Sequence, residues 1–359
     1  MSIFNFSSGP AILPQPVLKQ VQAELLDWKG SGISMLEIHH RSAEFMALAQ
    51  EITQNFRSIL QVPDNYKILF MQGGGRGQFA MVPLNLLGDR HKAAYAVTGL
   101  WSQLAQQEAQ RYCRAEVVTD SLGSDFTRIE PPEDWAYDSD SAYLHYTDNE
   151  TAHGLEFPEP PLVDENQLLV SDMSSNILSK SIDWERYGLV YACAQKNMGP
   201  AGITVVVVRE DLLDQALSIT PSMYHYQSYA RQNSLQNTPP CFIWYVVGLV
   251  LDWIKAEGGV AEMERRSIER SQKLYQFIDQ SDLFYNSVEV QFRSRMNVVF
   301  HLRDESLNSS FVEKSKEAGL LYLKGHSAVG GMRVGLYNPM PLAGVDALIN
   351  FMKDFQKTS

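Results

Sequence analysis

Two kinds of apolar pattern alternate along the first 250 or so residues. Leu18, Val21, Leu25 and Trp28 recur at helical spacing after Pro14 and Pro16, and Phe45, Leu48, Ile52 and Phe56 do so again, which predicts two amphipathic helices. Between and after them come short runs that are apolar at every position: 68–70, 168–170, 189–191 and 203–208. A strand with one wet face alternates apolar and polar residues, whereas a strand buried on both faces does not. These runs therefore predict a mostly parallel sheet with helices on both faces. The expected fold class is α/β, with functional residues at the carboxyl ends of the strands.

Beyond the apolar segment 242–254 and the Gly258-Gly259 break, the texture changes. A charged helix over 261–279 is followed by candidate strands near 288–292 and 297–302, a helix near 310–319 and a last helix over 344–355. The expected organisation is an N-terminal segment over 1–15, a large domain over 16–258 and a smaller α+β domain over 259–359. No period of 20 to 50 residues repeats, which excludes a solenoid.

Charge narrows the partners. Thirty Lys and Arg stand against 42 Asp and Glu, a formal net charge of −12, which argues against nucleic acid and anionic membranes as partners. Cys113, Cys193 and Cys241 show no CxxC spacing and no HExxH occurs, so neither a disulfide framework nor a metal centre is indicated. A reducing compartment fits. The longest uncharged apolar run, 241–251, is short of the ~20 residues of a membrane helix, and no basic-then-apolar leader opens the chain. The expectation is a cytoplasmic protein.

Three segments could carry chemistry. The turn Gly73-Gly74-Gly75-Arg76-Gly77 follows an apolar strand and opens a helix, so backbone N–H groups and a forked cation are available to a phosphate. Its spacing matches neither GxxxxGK[ST] nor GxGxxG. Asp172 follows the run 168–170, at a strand end where a buried carboxylate needs a cationic partner; taken alone it also reads as a helix cap. Lys196 lies in the turn between two core strands, where desolvation favours the neutral amine that forms Schiff bases; taken alone it also reads as a surface lysine. Glycine turn, strand-end Asp and inter-strand Lys, in that order, resemble the arrangement of pyridoxal phosphate enzymes with the aspartate-aminotransferase-like fold.

The resemblance extends over nearly the whole chain. Asn5-Phe6-Ser7-Ser8-Gly9-Pro10-Ala11, His40-Arg41-Ser42, Asn149-Glu150-Thr151, Asp172-Met173-Ser174-Ser175, Gln195-Lys196-Asn197, Asn237-Thr238-Pro239-Pro240, Arg293-Ser294-Arg295-Met296-Asn297 and Gly330-Gly331-Met332-Arg333 occur in order. On these motifs the chain resembles the phosphoserine aminotransferase family, in the class V subgroup of fold type I pyridoxal phosphate enzymes. The resemblance implies that Lys196 carries the cofactor and moves a proton, and that Asp172 holds the ring nitrogen. It implies that Gly75, Arg76 and Gln195 bind the cofactor phosphate region together with Asn237 and Thr238 of a second subunit. Trp101 would stack on the ring and Thr151 would bond its phenolic oxygen.

For substrate, the resemblance places Ser8 and Arg333 near an α-carboxylate and His40, Arg41 and His326 near a side-chain phosphate or carboxylate. It implies L-glutamate and phosphorylated 2-oxo acids as substrates, a homodimer with shared sites, and a related activity in pyridoxine synthesis. The family usually has an arginine where Ser327 stands, so one anion contact is missing here. Other class V aminotransferases, such as alanine–glyoxylate or serine–pyruvate enzymes, are the nearest alternative, followed by a non-catalytic cofactor-binding protein. Gly325-His326-Ser327-Ala328-Val329 fails the GxSxG elbow of hydrolases at its last position.

Overall fold

The computed structural model describes residues 3–136, 138–164 and 167–358. Its central sheet has seven strands: β1 (Tyr66–Met71), β2 (Lys92–Val97), β3 (Arg114–Asp120), β4 (Leu144–Thr147), β5 (Leu169–Asp172), β6 (Leu189–Cys193) and β7 (Thr204–Arg209). Their spatial order is β1-β7-β6-β5-β4-β2-β3. Neighbours are parallel except β7, which runs antiparallel to both β1 and β6. Chain length explains the exception: residues 194–203 form a tight turn, shorter than the crossover of about a dozen or more residues that a parallel return needs. Because β7 is flanked by two strands of the opposite sense, β1 and β6 point the same way. The carboxyl ends of β1 to β6 therefore share one edge of the sheet.

The all-apolar runs are explained by two cores. Along β1 and β7, Ile68, Phe70, Val205 and Val207 pack into one cluster while Leu69, Met71, Val206 and Val208 pack into the other. Alternate residues face opposite sides, and both sides are dry. Helices Ala43–Leu60 and Cys241–Ala256 cover the first face, and helices Gly74–Leu86 and Leu100–Ala109 cover the second. Helix Ala43–Leu60 starts where Ser42 Oγ accepts from Phe45 N at 3.2 Å, and it buries the stripe Phe45, Ala49, Ile52, Phe56 and Leu60.

Two expected elements differ. The first helix, Gln15–Glu24, ends before Trp28, because Asp27 Oδ1 accepts from Gly32 N at 2.7 Å and closes a turn that competes with the helix. The segment 288–292 is no strand: Val290–Phe292 is a 3-10 turn with Val290 exposed. It alternates like a strand but joins no sheet; the neighbouring sheet consists of β8 (Phe284–Tyr285), β9 (Asn297–Leu302) and β10 (Met332–Gly335), with β9 in the middle.

That antiparallel three-stranded sheet packs with helices Gly259–Asp279, Asn308–Glu317 and Leu342–Thr358 around Phe284, Phe300, Phe311 and Phe355. Phe6 belongs to the same core, Phe4–Asn5 pairs in parallel with Leu320–Leu321, and Gly335 N donates to Phe6 O at 2.8 Å. Residues 4–6 are thus built into the same unit as 284–355.

Trp244, 1% exposed, packs its ring 4.4 Å from Phe70 and 6.1 Å from Phe45, joining helix to sheet. Trp244→Ala is expected to cost about 3–5 kcal/mol through lost burial and a residual cavity, read as a lower urea midpoint against the parent. An unchanged midpoint would show that this junction does not carry the packing assigned to it.

Candidate active site

The shared carboxyl edge of the sheet opens into a cavity of about 440 Å3. Ser8, Gly75, Arg76, Trp101, Thr151, Asp172, Gln195, Lys196, His326 and Arg333 all line it. Ten of the residues expected from the sequence are therefore gathered in one place, from segments as far apart as the first strand pair and β10. Four are not. Asn237 and Thr238 are exposed outside it, where Thr238 O accepts from Gln72 Nε2 at 3.2 Å, beside the glycine turn. His40 Nε2 accepts from Arg41 Nε at 3.3 Å, and Arg41 lines a different cavity together with Arg57 and Lys67. Burial and the charges of His39 and Arg41 lower the pKa of His40.

Asp172 ends β5 and is 5% exposed. Its Oδ1 accepts from Ser174 N at 2.8 Å, closing a local turn with no regular helix after it, so the helix-cap reading does not hold. Burial raises the pKa of this carboxyl, and the Ser174 hydrogen bonds and the charge of Lys196 offset part of that rise. A carboxylate in this position is best satisfied by a cationic nitrogen. Lys196, in the β6–β7 turn, is half-buried rather than enclosed.

At the glycine turn, Gly73 caps helix Gly74–Leu86 with φ 106°, a left-handed conformation that suits glycine. The first N–H groups of that helix have no intrahelical partner, and Arg76 adds its charge beside them. A Cβ on Gly75 would stand 3.3 Å from Cys193 Sγ and 3.8 Å from Asp172 Oδ2, so the floor beside Asp172 stays open because no side chain fills it. Buried carboxylate, amine, free helix N-terminus and arginine form a donor set that fits a protonated aromatic nitrogen bearing a phosphate.

On the opposite wall, Trp101 Nε1 donates to Thr151 Oγ1 at 2.7 Å, which leaves the Thr151 hydroxyl proton free to donate. Arg333 Nη1 donates to Thr151 O at 3.2 Å, and burial lowers the pKa of its guanidinium. His326 meets Trp101 edge-on at 6.4 Å; burial first and then the charge of Arg333 lower its pKa. Ser8 is held from two sides: its Oγ accepts from Asn297 Nδ2 at 3.4 Å and its carbonyl accepts from Tyr337 OH at 2.9 Å.

Sequence reasoning gave no role to Cys193 or Glu150. Cys193 lies in the cavity floor with Ser174 Oγ 3.4 Å from its sulfur, and its signal was available, since it ends β6 on the shared edge. Glu150 lies behind the wall. It accepts from Trp101 N at 3.0 Å, Ser102 N at 2.8 Å and Ser102 Oγ at 2.7 Å, so it anchors the start of the helix that carries Trp101. Gly99 is the space that admits it, for a Cβ there would be 2.5 Å from the Glu150 carboxyl carbon.

With this geometry in place, comparison with known proteins is decisive for the class. The aminotransferase class-V family model matches residues 3–348, and the chain belongs to that family. Within it, the chain is 49% identical over 356 residues to a phosphoserine aminotransferase of Coxiella burnetii (strain CbuG_Q212), covering 99% of this chain and 98% of the relative. A solved phosphoserine aminotransferase from Bacillus circulans subsp. alkalophilus superposes with a TM-score of 0.97 at 40% identity, covering 99% of both chains. Another, from Trichomonas vaginalis and described with PLP bound, gives a TM-score of 0.92 at 36% identity, covering 98% of this chain and 100% of that one. The fold is the aspartate-aminotransferase-like one expected from the sequence.

Burial pushes the pKa of Glu150 up to about 7, against its hydrogen bonds from Ser102 and Trp101. The folded chain then holds this proton more tightly than the unfolded chain, so the contribution of Glu150 to stability falls as pH rises from about 4.5 to about 7. Glu150→Gln does not titrate. Across that window its stability relative to the parent is expected to rise by on the order of 3 kcal/mol and then level off, read as the difference in urea midpoints at several pH values. A difference that stays flat with pH would assign the proton elsewhere.

Proposed function

We infer that the chain catalyses amino transfer between L-glutamate and 3-phosphohydroxypyruvate, giving O-phospho-L-serine and 2-oxoglutarate, with pyridoxal phosphate as cofactor. The observation that carries this reading is the single cavity in which buried Asp172, Lys196, the glycine turn with Arg76, and Arg333 with His326 come together. When bound, the cofactor supplies an electron sink that allows the Cα–H bond of an amino acid to break.

The protein's own residues do the rest. Asp172 would hold the ring nitrogen in its charged form, and the helix N-terminus at Gly75 with Arg76 and Gln195 would hold the phosphate. Trp101, bonded to Thr151, would stack on the ring. Lys196 Nζ takes the proton from Cα and later returns one, acting as the general base and acid. Arg333 and Ser8 orient the α-carboxylate, and His326 meets the distal anion of the substrate.

Asn237, Thr238, His40 and Arg41 lie outside the cavity of their own chain. We assign them to the cavity of a partner in a homodimer: Asn237 and Thr238 to the cofactor phosphate, His40 and Arg41 to the substrate phosphate. The large and small domains meet along the cavity, with 1–15 completing the substrate side. No described helix is long and apolar enough to cross a membrane. A cytoplasmic enzyme of serine synthesis, with a second use in pyridoxine synthesis on a related phosphorylated 2-oxo acid, is the setting proposed.

Lys196→Ala is expected to abolish the visible absorption of the loaded parent enzyme and at least ~10³ of its turnover, by loss of the general base and anchoring amine. In a single-turnover assay, phosphoserine should convert the parent cofactor far faster than serine or alanine; equal rates would remove the phospho-substrate reading and keep the transaminase one. Shared sites have a separate check. Mixing inactive Lys196→Ala chains with Arg41→Ala chains should restore part of the phosphoserine activity, because one of the two cavities in a hybrid then has both residues. Failure of mixed chains to regain activity, with hybrid formation verified by mass, would place Arg41 in the cavity of its own chain, whereas full activity of Arg41→Ala by itself would place it outside the reaction.

A further inference from the structure

Glu150 is a buried ionisable group with no part in the amino-transfer steps described above. It is 0% exposed and does not line the catalytic cavity. It ends the short strand Asn149–Glu150, which pairs antiparallel with Leu155–Glu156, and the turn between them is closed by Gly154 N donating to Glu150 O at 2.9 Å. Thr151 is the first residue of that turn.

These two consecutive residues grip Trp101 at both ends. Glu150 Oε2 accepts from the backbone N–H of Trp101 at 3.0 Å, and Thr151 Oγ1 accepts from its indole Nε1 at 2.7 Å. One bond at the tip would leave the indole free to pivot, whereas a second at its backbone fixes where the side chain starts. Helix Leu100–Ala109 cannot supply that second bond itself. Its N-cap is Gly99, so the first N–H groups lack the acceptor that a Ser or Asp cap provides. Glu150 brings the acceptor from elsewhere in the chain. One oxygen takes Trp101 N, and the other takes Ser102 N at 2.8 Å and Ser102 Oγ at 2.7 Å.

We propose that Glu150 is a positioning residue for the cofactor: by pinning the first turn of this helix, it sets the Trp101 indole where it would stack on the ring. The proposal rests on the cofactor reading given above. Both oxygens are needed, since each accepts from a different backbone donor. Glutamine has the same shape but a single acceptor oxygen, so its NH2 group must face either Trp101 N–H or Ser102 N–H and leave that buried donor unpaired.

The test measures the affinity of the full-length chain for pyridoxal phosphate by visible absorption, together with the visible circular dichroism of the loaded enzyme, which reports the asymmetry around the ring. It is run at about pH 8.5, where Glu150 is ionised. Glu150→Gln should weaken cofactor binding about tenfold and shrink the dichroic band. In a Trp101→Ala background the same substitution should change neither, because no indole remains to be placed. Gly99→Ala puts a Cβ 2.5 Å from the Glu150 carboxyl carbon, which displaces the intact glutamate and should act in the same direction; if Glu150→Gln does not fold, this variant in both backgrounds decides. A parent chain that binds no pyridoxal phosphate would overturn this proposal and the cofactor reading together. A parent that binds it, with Glu150→Gln equal to it in affinity and dichroism or losing as much with Trp101 absent as with it present, would overturn this proposal alone.

Discussion

The arrangement rests on one costly element, a carboxylate buried at the end of a central strand. Asp172 stands where four parallel ladders deliver their carboxyl ends, and its environment disfavours the charge it must carry. The Ser174 hydrogen bonds and the charge of Lys196 relieve part of that cost, and a cation in front of it would relieve more, in a space that Gly75 leaves open by having no side chain. Every other contributor is arranged around that space. The glycine turn reaches it from β1, Lys196 reaches it from the β6–β7 turn, and Trp101 and Thr151 close the opposite wall.

Polar residues hold the two halves in register. Asn149 Nδ2 donates to Asn297 Oδ1 at 3.0 Å, Asn338 N donates to Asn197 Oδ1, and Arg295 Nη2 donates to Glu156 Oε1 at 2.9 Å. Glu156 is buried, but the adjacent charges of Arg295 and Lys180 outweigh burial and lower its pKa. Glu150 has hydrogen bonds without a cation, and there burial wins. Two glutamates six positions apart therefore have opposite electrostatics: one fastens β9 to the sheet, and the other fastens a helix behind the ring wall.

Much of this was legible in the sequence because it depends on local order. Runs such as 203–208 announce a sheet buried on both sides, and a lysine between two of them marks a strand-end turn. Family motifs then named ten residues that one cavity gathers. What stayed hidden depends on distance. The antiparallel course of β7 follows from a loop length, but which strands flank it does not. The segment 288–292 has the alternation of a strand yet forms a 3-10 turn and joins no sheet, which no local pattern records. The anchoring of Trp101 by Glu150 spans 49 residues in sequence and is visible only once the strands are paired. Asn237, Thr238, His40 and Arg41 lie outside the cavity that gathers the other ten, a separation that no motif records.

The pairing of Phe4–Asn5 with Leu320–Leu321 also bears on when the enzyme can first work during its own synthesis. Ser8 is fixed by Asn297 and Tyr337, and Arg333 arrives on the last strand. A chain emerging from the ribosome can pair the sheet and place Asp172 and Lys196 well before those partners exist. That wall of the cavity cannot be completed until the strand Met332–Gly335 has followed, since contacts between segments far apart in sequence close last. Assembly of the cavity therefore waits on synthesis of that strand, long after Asp172 and Lys196 have emerged.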